Sequence, residues 1–233
     1  MLKIIVSKWG DMYSEEYIDR LRESIEKHTT VPWKLLVVRD HDNCFNHLSR
    51  KHFRGTGTPQ VVQGEGWVNG YHHFNLGGLP LYKKTFGWFA DDYFDDDDII
   101  ISMDIDMIVT GDLDYFTILD YEKPWVQYDY AMSKQELIEG HWEQNITPIN
   151  TSVLAFKKGQ LDPIRKCMEK HAEEIFFTYR RVDAFVWYQF GVKGFFNYLP
   201  KSIVDWHYSE HPSLIRNLAG EKINLKNGVI IDG

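Results

Sequence analysis

The sequence predicts an α/β fold: one domain over residues 1–233 with a mainly parallel central sheet flanked by helices. Three observations carry this. The chain opens strand, helix, strand, which predicts parallel pairing through a right-handed crossover. Its most apolar run, "IIISM", ends in the acidic triplet Asp104-Ile105-Asp106. Beyond that triplet, apolar runs and helical patterns again alternate.

"LKIIV" (Leu2 to Val6) reads as the first buried strand. "SEEYIDRLRESIEKH" follows, with Ser14 at the N-cap and Tyr17, Ile18, Leu21 and Ile25 in one apolar stripe. "WKLLVV" (Trp33 to Val38) is the second strand. Residues 55–78 carry seven glycines among Trp67, Tyr71, His72 and His73. They read as a long functional loop. "LYKKTFGWFADDYF" spaces Tyr82, Phe86, Phe89 and Tyr93 as a helix does. The acidic run Asp91 to Asp98 reads as a solvated loop leading to the strand Ile99 to Met103. "INTSVLAF" (Ile149 to Phe156) is another strand. "DPIRKCMEKHAEEIF" reads as a helix capped by Asp162 with Pro163 in first position. "VDAFVWYQF" is a shorter helix, "GFFNYLP" a late strand, and Asn227-Gly228 a hairpin signal.

Composition narrows the function. A formal net charge of -8 argues against nucleic acid as a partner, because phosphate binding needs a basic surface. Aromatic residues make up 15% of the chain, which suits ring-shaped ligands and equally an aromatic core. Two cysteines, Cys44 and Cys167, give neither a zinc spacing nor a disulfide framework. No run approaches a membrane span, and the apolar start is too short for a signal peptide. The expectation is a soluble, cytoplasmic protein.

The acidic triplet carries the chemistry. If the strand continued through it, Asp104 and Asp106 would point to the same side. Two carboxylates that close repel each other, and a bound cation resolves the repulsion. Oxygen-only ligands suit Mg²⁺ or Mn²⁺ with positions left for substrate phosphates. In open α/β sheets, ligands bind beyond the carboxyl ends of the strands.

"MDIDMIVTGDLDYF" resembles the D-x-D segment of GT-A glycosyltransferases, the Rossmann-like nucleotide-diphospho-sugar transferases, especially glycosyltransferase family 8 and its small bacterial and viral relatives. "IIVSKWGDMYSEEYIDRL" is similar to their first strand and helix, and "YKKTFGWF" to a nucleotide-contacting segment. "INTSVLAF" and "WHYSEHP" resemble two later family segments. The chain departs from family 8 at Ser152 and Ala184, where that family has Gly and Gln, and at Glu210 and Ser213, where Gly and Lys would fall. A related GT-A family fits these departures.

The resemblance implies transfer of a sugar from a nucleotide-diphosphate sugar, UDP being the commonest base, to a glycan, protein or lipid-linked acceptor. It implies Mn²⁺ (or Mg²⁺) held by Asp104, Asp106 and His207, with His211 as alternative. Ser7, Lys8 and Trp9 would line the nucleotide pocket, with Ile105 near the ribose. Lys84, or Lys83 beside it, would approach the phosphates, and Asn150 and Thr151 would face donor sugar or acceptor. Asp183 is the catalytic candidate, either as base or as stabiliser of the oxocarbenium-like centre. A salt bridge from Asp183 to Arg180 or Arg181 is the structural alternative. The glycine-aromatic segment from Gly64 to Gly78 would close over the donor or stack on the acceptor. Rival readings are a carbohydrate-binding or inactive transferase-like protein, a sugar nucleotidylyltransferase, and a metal-dependent hydrolase. The second would need a Gly-rich loop with Arg after the first strand, which "VSKWGDMYS" lacks.

Overall fold

A computed structural model describes residues 1–8, 13–39, 84–128, 147–179, 181–206 and 212–217. Trp9, Lys83, Arg180, His207, Glu210, His211, the Gly64–Gly78 segment and the Asn227-Gly228 turn lie outside the described residues. Elements are labelled in chain order among those described. Strands are β1 (Leu2–Lys8), β2 (Trp33–Arg39), β3 (Ile99–Met103), β4 (Met107–Val109), β5 (Trp125–Tyr128), β6 (Ile149–Lys157), β7 (Asn197–Leu199), β8 (Val204–Trp206) and β9 (Ile215–Asn217). Helices are α1 (Glu15–Lys27), α2 (Thr85–Trp88), α3 (Asp162–Thr178) and α4 (Val182–Gln189).

The six-stranded sheet runs β2-β1-β3-β6-β5-β7. β1 pairs in parallel with β2 and β3, and β5 with β7, while β6 runs antiparallel between β3 and β5. The sheet is therefore mainly parallel, with β6 alone reversed. A second sheet, β4-β9-β8, was not anticipated, since its strands are three residues each and carry little periodic signal. Among the described residues, no helix is long and apolar enough to cross a membrane.

Both faces of the large sheet are covered, which explains the unbroken apolar runs of β1 and β3. Ile5, Ile100, Val126 and Leu154 pack with Phe86 and Trp88 of α2, Ile164 and Met168 of α3 and Phe185 of α4. Ile4, Ile101, Val153 and Ala155 pack on the other face with Leu21 and Ile25 of α1 and with Met107, Val204 and Ile215 of the small sheet. Each fully buried isoleucine contributes about 1.5–3 kcal/mol.

Four expectations are corrected. The helix expected around "LYKKTFGWFADDYF" is, over its described part, the single turn α2 and a 3₁₀ turn Asp91–Tyr93. Ala90 between them has φ -79° and ψ 46°, outside the helical region. α2 lies so close to β1 that a Cβ on Gly87 would stand 2.6 Å from Ile5 Cγ2. Asp162 does not cap α3: it is the first helical residue, preceded by Leu161, and pairs with Arg165. The acidic run is not all solvated. Asp98 is 3% exposed, accepts from the Asp95 N–H at 2.8 Å and lies 3.3 Å from Lys3 Nζ, tying β1 to the entry of β3; Asp91 pairs with Arg165. Ser14 does hold the N-cap position of α1, but its hydroxyl bonds to Glu16 and only its carbonyl receives a helix N–H, from Tyr17. The acidic triplet, too, is not extended strand.

Candidate functional site

β3 stops at Met103, and the triplet is a turn rather than more strand. The Asp104 N–H still donates to Ser152 O at 2.9 Å, the last rung shared with β6. The Met107 N–H then donates back to Asp104 O at 3.2 Å and closes the turn. Ile105, 5% exposed, packs against Tyr17 and Ile18 of α1. An apolar residue between two acids thus pins the turn to the core. The side chains of the triplet do not alternate as in a strand, because alternation belongs to extended backbone.

Asp104 is engaged on both oxygens. Lys84 Nζ stands 3.0 Å from Oδ1, and Ser152 Oγ donates to Oδ2 at 2.6 Å. Asp106 is 5% exposed, with the Tyr13 hydroxyl 3.5 Å from its Oδ2.

The start of β6 supplies the facing wall. Val126 pairs with Leu154 and Gln127 with Asn150, so Thr151, Ser152 and Val153 bulge out of the β5 ladder. The N–H groups of Thr151 and Ser152 turn to side chains instead. Thr151 donates both its N–H (2.8 Å) and its hydroxyl (2.5 Å) to Asp183 Oδ1, and the Ser152 N–H donates to Asn150 Oδ1 at 2.8 Å. Asp183 sits in the first turn of α4, where the helix dipole favours a carboxylate. It therefore couples α4 to the bulge.

Burial alone would lower the pKa of the Lys84 ammonium. The carboxylates of Asp104, Asp183 and Asp106 outweigh it and hold Lys84 above its ordinary 10.5. Three carboxylates thus share the field of one ammonium, leaving a surplus of two formal negative charges. Paired hard oxygens with that surplus fit a divalent cation such as Mn²⁺ or Mg²⁺. Among the described residues no third His, Cys, Asp or Glu completes a cluster.

Ser7 and Lys8 continue β1 past the Val6–Met103 pair, along the same sheet edge as Asp104. Lys8 Nζ lies 3.5 Å from Glu15 Oε1 at the start of α1. The structure therefore gathers Lys84, Asp104, Asp106, Thr151 and Asp183 around one ammonium and its partners, with Asn150 paired to Gln127 beside the bulge and Ser7 and Lys8 at the adjoining strand end. Sequence reasoning did not assign Ser152 or Tyr13 to the site. Ser152 reaches Asp104 only because β6 pairs antiparallel with β3, a register the sequence does not print, and Tyr13 lies 93 residues from Asp106.

The chain superposes over 98% of its length on 99% of a glycosyltransferase involved in glycosylation of the major capsid of PBCV-1, with a TM-score of 0.56 and 13% identity. It matches galactosyltransferase LgtC, solved with donor and acceptor sugar analogs, over 99% of this chain and 97% of that one, with a TM-score of 0.53 and 14% identity. The chain has the GT-A fold. A third match is GlyE of Streptococcus pneumoniae TIGR4, covering 93% of this chain and 54% of that one at a TM-score of 0.54 and 14% identity. No protein-family model matches the sequence, and neither does any curated protein. At such identities the likeness is one of fold. On the GT-A sheet the acidic turn lies at the carboxyl end of β3, the end where open α/β sheets receive ligands.

Proposed function

We propose that this chain is a glycosyltransferase that moves a sugar from a nucleotide-diphosphate sugar, with UDP as first candidate, to an acceptor hydroxyl. The observation that carries the reading is the pair Asp104 and Asp106 on a turn at the sheet's carboxyl end, with Lys84 seated on Asp104 at 3.0 Å. Asp104 and Asp106 would hold Mn²⁺ or Mg²⁺, with His207 as third ligand. When bound, the cation neutralises charge on the donor diphosphate.

In the transfer, the bond from anomeric carbon to phosphate oxygen breaks and its electron pair stays on the nucleoside diphosphate. The acceptor oxygen bonds to the anomeric carbon and passes its proton to the departing diphosphate oxygen. Lys84 remains an ammonium at neutral pH and supplies positive charge where the leaving group gains negative charge. Asp183 is held on Oδ1 by Thr151 and supplies fixed negative charge for the oxocarbenium-like centre. Asn150 would border the sugar, with Thr151 behind it on Asp183, while Ser7, Lys8, Trp9 and the Ile105 backbone would border the nucleotide. The chain acts as a single catalytic domain.

The first test is a thermal shift with UDP, GDP and nucleotide-sugars, with and without Mn²⁺, followed by donor hydrolysis over the same panel. A nucleotide at about 100 times its dissociation constant raises stability by roughly 2.7 kcal/mol. Stabilisation that needs the metal, and that Asp106→Ala abolishes, supports the transferase. Stabilisation by free glycans alone, with no response to nucleotide, replaces it with a carbohydrate-binding protein.

A further inference from the structure

The contacts on the two oxygens of Asp104 differ in kind. Ser152 brings a neutral hydroxyl to Oδ2, and an ionised carboxylate has lone pairs enough to keep that bond while it ligates a cation. Lys84 brings a full positive charge to Oδ1, where a divalent ion would bring two. Those charges repel across any shared carboxylate. The backbone at Lys84 has little room to yield, because the Thr85–Trp88 turn that follows is wholly buried and Trp88 Nε1 is bonded to Ser102 Oγ at 2.9 Å. The flexible four-carbon stem of Lys84 can swing instead.

We infer that Lys84 is a resident competitor for the divalent cation at Asp104, and that cation entry displaces its ammonium from Oδ1 toward the diphosphate. The inference rests on the metal-dependent reading above and adds a coupling to it. Cation and nucleotide bind cooperatively because one lysine is released by the first and used by the second. Lys84 is thus a positioning residue whose charge weakens the metal site on its own and strengthens the metal–nucleotide complex.

The test is Mn²⁺ binding followed by the electron paramagnetic resonance signal of free Mn²⁺, with and without UDP, in the intact chain. Lys84→Met should bind Mn²⁺ about tenfold more tightly than the parent protein without nucleotide, the scale of one charge-assisted hydrogen bond removed from competition. With Mn²⁺ saturating, it should bind UDP about tenfold more weakly. Lys84→Gln should behave like Lys84→Met, and Lys84→Arg, which keeps the charge, should retain the parent's weak Mn²⁺ binding. The Gln and Arg variants carry the test if Met does not fold. Unchanged or weaker Mn²⁺ binding in the neutral variants overturns the inference alone, provided the parent binds Mn²⁺ with UDP. A parent chain that takes no Mn²⁺ under either condition overturns both the inference and the metal-dependent reading.

Discussion

Asp183 holds together two functions that substitution can separate. Thr151 is 1% exposed, and both its N–H and its hydroxyl end on Asp183 Oδ1. Asp183→Ala leaves two buried donors without their acceptor, a loss of about 1–3 kcal/mol for each unsatisfied group. Asp183→Asn keeps an acceptor oxygen and removes the charge. Urea unfolding should therefore place the Asn variant within about 1 kcal/mol of the parent and the Ala variant clearly lower. Donor hydrolysis should fall at least tenfold in both, since the charge is lost in both. An Asn variant with parental hydrolysis would reduce Asp183 to a strut between α4 and β6. Among other single residues, Asp106→Ala addresses the cation and Lys84→Met the competition for it, so the three sets of changes report on different parts of the site.

At the scale of elements, what the sequence made legible and what it hid have distinct physical causes. β1, β3 and β6 were readable because both sheet faces are covered and each strand carries an apolar run, residues 4–6, 99–101 and 153–156. α1 was readable because one face alone is buried. Most of the fold and the acidic pair could therefore be found without coordinates. The bulge at Thr151–Val153 could not, because whether a strand residue pairs is decided by its neighbour's register. The shortening of α2 was hidden for a related reason: aromatic spacing signals helix, but the contact with β1 and the backbone at Ala90 limit it to one turn. Gly87 tests that account. Its missing side chain admits Ile5 Cγ2 to within 2.6 Å of where a Cβ would stand. Gly87→Ala gains helix propensity of about 1 kcal/mol in an isolated helix. Here it should instead lose about 1–3 kcal/mol through overpacking, and in a double-mutant cycle with Ile5→Ala, which removes Cγ2, the two losses should be less than additive. A stabilised Gly87→Ala chain would mean that α2 can lift from β1 freely.

Across the whole molecule, several groups held above their ordinary pKa make stability fall in alkali, Tyr121 and Lys84 among them. Tyr121 packs against the core face lined by Phe116, and its hydroxyl donates to Phe116 O at 2.8 Å. Burial, and next the Tyr115 phenol, push its pKa far above the ordinary 10.0. The folded chain thus keeps a proton that the unfolded chain releases near pH 10. Lys84 is raised too, against the pull of burial, by its three carboxylates. Its contribution is fully present below the unfolded value of 10.5 and is lost as pH rises through the folded value. Neither group alters stability between about pH 7 and 9; above about pH 10 each removes up to roughly 1.4 kcal/mol per pH unit. Urea midpoints measured from pH 7 to 11 should stay level as far as these groups are concerned and then descend. Tyr121→Phe loses the bond to Phe116 O and starts lower, yet its midpoint should descend less steeply above pH 10, because one linked proton is gone. Lys84→Met should flatten the same limb by the same logic. If both variants fall as steeply as the parent, alkaline unfolding is governed by groups other than the site lysine and the core tyrosine.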